Sequence, residues 1–122
     1  MSLIKGIFVQ APYAALIVDG HKTIETRSKN MLGKLVGRTV AIIETGRGKT
    51  PMVIGYAHIE SARKESKETM DSLRDKTLVP RGSKYDTGSR WCYYLTGAYR
   101  FPHAVSLPQD AVRHGRSWCE WW

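Results

Sequence analysis

"QAPYAALIVDGHKTIETRS", residues 10 to 28, changes period half-way, and that change decides how the rest of the chain is read. Pro12 suits a helix start, where its missing N–H is not needed. Gly20 suits the residue just beyond a helix end, where a left-handed backbone is wanted. Between them Tyr13, Leu16 and Ile17 are spaced for one buried face, so a short helix is predicted over 12–20. "KTIETRS" then alternates. Thr23, Glu25 and Arg27 share one side and Lys22, Ile24 and Thr26 the other, which predicts a strand with neither face cleanly apolar. Glu25 and Arg27 would stand about 7 Å apart on one face. Lys22 follows Gly20 so closely that the chain has room to turn it toward the same side.

Working outward, "LIKGIFVQ" (3–10) is β-rich and predicts a first strand. "MLGKLVG" (31–37) is a glycine-punctuated loop. "RTVAIIET" (38–45) and "MVIGYAHIE" (52–60) are the clearest strands, joined as a hairpin through "GRGKTP" (46–51). "SARKESKETMDSLRDKTL" (61–78) is polar with a narrow apolar stripe at Met70, Leu73 and Thr77, which predicts a helix. "VPRGSKYDTGS" (79–89) is loop chemistry. "RWCYYLTGAYRF" (90–101) and "HAVSL" (103–107) predict two more strands, and "PQDAVRHGRSWCEWW" a turn and an aromatic tail. Five or six strands with two helices and no βαβ alternation indicate an α+β domain spanning 1–122, a small, mostly antiparallel sheet or barrel with flanking helices. "LVPRGS" (78–83) matches a thrombin-cleavage sequence familiar from expression vectors. Chance and a replaced surface loop both account for it, and it is assigned no function.

The totals narrow the function. The 122 residues are 42% hydrophobic and 25% charged, a globular balance, and the formal charge is +8. That excess favours polyanionic partners such as RNA, DNA or anionic lipid. It is not evenly spread: residues 20 to 49 hold seven basic side chains against Glu25 and Glu44. No apolar run approaches a membrane span, and no apolar leader opens the chain. With two cysteines, Cys92 and Cys119, outside any CxxC pair, reduced thiols and a cytoplasmic location are expected.

The chemical motifs weigh unevenly. "ETGRGKT" resembles a phosphate loop but fails on spacing, because the position five before Gly48 holds Ile43. What survives is a basic hairpin tip, with Arg47 and Lys49 as candidate phosphate contacts or as a solvated turn. The four histidines form no HxxxH or HExxH pattern, so no metal site is expected. Tyr13 and Tyr85 lie beside turns and are candidates for base stacking, whereas Trp91 and Trp118 read as core. A Lys22–Glu25–Arg27 cluster binds a phosphate or a polar base edge. It also serves as general base and oxyanion stabiliser in hydrolysis. A structural ion pair at the helix–strand corner uses the same residues.

The opening segment resembles the signature of activating-signal-cointegrator-homology (ASCH) domains of the PUA-like superfamily, Q-P-[YW]-A-x-L-[IL]-x-x-G-x-K-x-x-E-x-R-[SW]. Gln10, Pro12, Tyr13, Ala14, Leu16, Ile17, Gly20, Lys22, Glu25, Arg27 and Ser28 match it, with Ala11 inserted after Gln10. The resemblance implies a five- or six-stranded β-barrel with flanking helices. It also implies a positively charged cleft between them, lined by the Lys, Glu and Arg of the motif. It further implies an RNA- or nucleotide-binding domain in RNA processing or regulation. Taken with the basic hairpin tip and the tyrosines beside turns, the expected contacts are Arg27, Arg47 and Lys49 to phosphates and Tyr13 or Tyr85 to bases, with Ser28 beside them. Some members are hydrolases acting on RNA or on acylated cytidine nucleosides. On that alternative Lys22 and Glu25 form the reactive pair, and the amidohydrolase branch carries a threonine where Glu25 stands here. No cofactor is required on either reading; magnesium enters only if RNA is cleaved. The oligomeric state is left open.

Overall fold

Apolar side chains on both sides of "IKGIFVQ" place it in the middle of a sheet buried on two faces. In a computed structural model, which describes residues 3 to 122, this segment is β1 (Ile4–Gln10). Ile7 and Val9 enter the larger core with the first helix, and Phe8 enters a second cluster on the opposite face. β1 runs parallel to β3 (Thr39–Thr45) and antiparallel to β7 (Trp118–Trp121). The remaining strands are β2 (Ile24–Arg27), β4 (Met52–Glu65), β5 (Arg90–Ser106) and β6 (Val112–His114), and every other pairing is antiparallel. The sheet order is β2-β5-β4-β3-β1-β7-β6.

This is an α+β, mostly antiparallel, barrel-like architecture with three short helices, and it corrects the expected outline in four places. Among the described residues the strands number seven, and the sheet is open, with β2 and β6 at its edges. The helix expected over 61–78 begins only at α2 (Lys67–Ser72), followed by α3 (Arg74–Thr77). Residues 61–65 instead prolong β4, where pairing to β5 overrides their helical propensity. The two strands expected over 90–107 are one, β5, and Pro102 sits where β5 has β4 on one side only, an edge that needs no donor. The aromatic tail forms the β6–β7 hairpin.

β4 and β5 are long enough to curl, and register shifts between Val53/Gly55, Tyr56/His58 and Ile59/Ser61 bend them. Gly55 lets the layers close: a Cβ there would lie 2.1 Å from the Tyr99 carbonyl oxygen and 2.7 Å from Val18 of α1. α1 (Tyr13–Val18) buries Ala14, Ile17 and Val18 against this inner face. Trp91 and Trp118 pack against the same core. Tyr93 is fully buried, its hydroxyl donating to Asn30 at 2.7 Å and accepting from the Leu32 N–H at 3.2 Å. Cys92 and Cys119 are buried free thiols, each pushed up to about 11 mainly by burial. No helix among the described residues is long and apolar enough to cross a membrane.

Candidate functional site

The curl brings the edge strand β2 back toward β1, but no ladder joins them. β7 pairs with β1 only as far as Ile7, and Phe8 donates its N–H to Ser117 at 3.1 Å. The carbonyl of Phe8 is taken by the Arg27 guanidinium at 2.7 Å, so a β2 side chain closes the gap in place of backbone. Around this bridge lies a cleft of about 410 Å³. Its walls are the end of β1 (Phe8, Val9, Gln10), β2 (Glu25, Thr26, Arg27), Tyr13 of α1, the 79–85 loop, the start of β5 at Arg90 and the β6–β7 turn.

The helix–strand corner sets the floor. Gly20 adopts φ +81°, and the N–H groups of His21 and Lys22 both return to the Leu16 carbonyl at 2.9 Å. This wrap turns Lys22 inward before β2 begins, leaving it 2% exposed. Its ammonium donates to the Thr77 carbonyl, stands 3.7 Å from Glu25 Oε1 and lies 5.1 Å from the centre of the Tyr13 ring. Glu25 is 8% exposed and holds Arg27 through its other oxygen, with Nε at 3.1 Å and Nη2 at 3.0 Å. Burial draws the Lys22 ammonium below its ordinary pKa; Glu25 opposes the shift and Arg27 adds to it. Glu25 therefore has both oxygens engaged by cations and fixes them in place.

Tyr13 and Tyr85 face each other edge-to-face, 5.8 Å between ring centres, and both line the cleft half-buried. The Tyr85 hydroxyl donates to the Gln10 side chain, which ties the loop to β1. That loop includes part of "LVPRGS". Val79 is buried and lines the cleft, its carbonyl accepts from Arg74 at 2.9 Å, and Asp86 accepts from Arg74 and from the Gly82 N–H. The segment is thus a built wall.

Of the side chains singled out from the sequence, Tyr13, Lys22, Glu25, Arg27 and Tyr85 come together at the cleft. Ser28 is exposed just past β2, and Arg47 and Lys49 sit exposed at the β3–β4 tip; none of the three is among the lining residues. Lys49 instead stands 3.7 Å from Glu44. Sequence reasoning passed over Arg90, Arg113 and Arg116, which also line the cleft. No local pattern marks the last two. Arg90 had one signal, a cation abutting the apolar run "WCYYL" that the fold was bound to bury. The lining thus carries five cations, Lys22, Arg27, Arg90, Arg113 and Arg116, against the one carboxylate of Glu25. Among the described residues no group of three or more His, Cys, Asp or Glu side chains is placed to hold a metal ion.

No protein-family model and no curated protein sequence matches the chain. Solved structures do. The crystal structure of the ASCH protein from Zymomonas mobilis superposes with a TM-score of 0.71 at 22% identity, covering 84% of this chain and 73% of that one. A tyrosine-to-phenylalanine variant of the same protein gives 0.70 at 22% identity over 84% and 75%. A serine-to-alanine variant gives 0.69 at 21% over 84% and 72%. At these identities the likeness establishes the fold.

Proposed function

We propose that this chain, which has the fold of an ASCH domain, is an RNA- or nucleotide-binding module whose ligand lies in the cleft between β1 and β2. One observation supports the reading above others: five cations and one carboxylate line a single small cleft that two tyrosine rings also wall. The cations offer phosphate contacts and the rings a stacking surface. The net charge of +8 adds attraction at long range. The buried, reduced thiols fit a cytoplasmic location, which belongs to the same proposal.

The reading is tested by fluorescence anisotropy with short single-stranded RNA over a salt series. Affinity falling linearly with salt on logarithmic axes, with a slope of several units, is the expected outcome. An affinity indifferent to salt, or absent at low salt, contradicts it.

A second reading, hydrolysis in the same cleft, is favoured by Lys22, a buried amine of lowered pKa beside a carboxylate. Glu25 supplies no hydroxyl nucleophile, so water would have to attack. A divalent cation finds one carboxylate here, Glu25, and Lys22 and Arg27 already engage it. These residues do not fit a resident magnesium ion. Incubation with single-stranded RNA and with acylated cytidines separates the readings. Product formation abolished by Lys22→Ala supports hydrolysis, and no product from any substrate leaves binding alone.

A further inference from the structure

The cations of the cleft are not equivalent. Arg27 and Lys22 share Glu25, but Arg90 has no such partner, although it is 8% exposed. Its described partners are uncharged: Nε donates to Thr26 Oγ1 at 3.1 Å, Nη1 to Thr87 Oγ1 at 2.9 Å and Nη2 to the Thr26 carbonyl at 3.3 Å. Glu25 acts on it only at longer range. A buried guanidinium without a counter-ion is costly, and the fold keeps one at the wall of a cleft. Three of its five N–H groups are used to fix its plane, which leaves two to donate. Arg113 of β6 and Arg116 of the β6–β7 turn line the same cleft, exposed and without a described carboxylate partner, and Arg113 lies 5.0 Å over the Phe8 ring.

We infer that Arg90, with Arg113 and Arg116, forms a phosphate seat that selects a nucleoside monophosphate over the corresponding nucleoside. The inference rests on the nucleotide-binding reading of this cleft and narrows it. A planar guanidinium fork matches two oxygens of one phosphate, and a phosphomonoester near neutral pH carries close to two negative charges. It supplies the charge that Arg90 lacks and still leaves the two exposed arginines a share. The size agrees: about 410 Å³ is of the order that holds one small ligand rather than a run of nucleotides.

The test is isothermal titration calorimetry of the full chain with the four ribonucleosides, their 5′- and 3′-monophosphates, and a single-stranded oligonucleotide without terminal phosphate. At least one monophosphate is expected to bind about 10- to 100-fold tighter than its nucleoside. Arg90→Gln is expected to bring that ratio toward one while nucleoside affinity persists. If the glutamine variant does not fold, judged by its melting curve, Arg90→Lys carries the same test. It keeps the charge but loses the fork, and its ratio is expected to fall severalfold. Equal binding of nucleosides and monophosphates overturns the phosphate seat and leaves nucleotide binding standing. So does a ratio that the Arg90 substitutions do not change, and so does binding of the oligonucleotide without any mononucleotide. Binding of none of the ligands overturns both.

Discussion

Replacing Glu25 with glutamine keeps the shape of the side chain and removes the one carboxylate of the cleft. Lys22, 2% exposed, then keeps its ammonium buried against the Thr77 carbonyl and the Tyr13 ring with no opposite charge beside it. Arg27 keeps its bond to the Phe8 carbonyl but loses its ion pair. Breaking a buried pair by removing one partner costs about 3–5 kcal/mol, and the amide oxygen of Gln still accepts one bond, so the expected loss is about 3 kcal/mol. Glu25 is nearly buried, which leaves little solvent screening to reduce that figure.

The loss has a pH signature. The folded pKa of Lys22 already lies below its ordinary 10.5, through burial first, with Glu25 opposing. Between the folded and unfolded values the unfolded chain binds the extra proton, so this group makes stability rise with pH across that window. Without Glu25 the folded value falls further and the window opens at lower pH. The deficit of the variant should therefore be full on the acid side and shrink as pH rises toward 10.5. Urea denaturation of both proteins from about pH 6 to about pH 9.5 measures this. The double variant Lys22→Met with Glu25→Gln removes the stranded ammonium and should recover part of the loss. A deficit below about 1 kcal/mol, the range of a surface pair, would refute the reasoning. So would a deficit independent of pH, or a double variant no more stable than Glu25→Gln alone.

Gly55→Ala drives a methyl into the Tyr99 carbonyl, 2.1 Å away, and should cost at least the 1–3 kcal/mol typical of overpacking, read as a lowered melting temperature. Cys92 and Cys119, each held near 11, have thiolate fractions of about one in a thousand at pH 8. Their labelling by a disulfide reagent should track unfolding, and rapid labelling of the native protein would count against their burial. Arg47→Ala with Lys49→Ala, at the exposed hairpin tip outside the cleft, should leave mononucleotide affinity unchanged while weakening RNA affinity by screened attraction alone.

How much of this was legible in the sequence depends on whether the signal is local. Pro12 and Gly20 punctuate α1 within nine residues, and β3 and the first part of β4 carry apolar runs that declare themselves. The end of β4 does not. Residues 61–65 read as helix because their reason for being a strand is β5, some thirty residues away. The Lys22–Glu25–Arg27 cluster was legible as residues and in part as an arrangement. Strict alternation puts Lys22 on the other side, the nearness of Gly20 leaves room to turn it in, and the backbone wrap onto Leu16 is what does so. Arg90, Arg113 and Arg116 meet the cleft through the sheet topology, so no window of the sequence contains them together. The Arg47–Lys49 tip is the opposite case, a conspicuous local motif that the fold holds outside the cleft lining.

The central claim, that the gap between β1 and β2 is the ligand site, is tested most directly by backbone and arginine side-chain NMR shift mapping during a nucleoside monophosphate titration. The largest changes are expected on Tyr13, Glu25, Arg27, Tyr85 and Arg90. Changes centred instead on the aromatic cluster of exposed Tyr56 and Tyr99 with half-buried Phe101, on the opposite face of the sheet from α1, would contradict it.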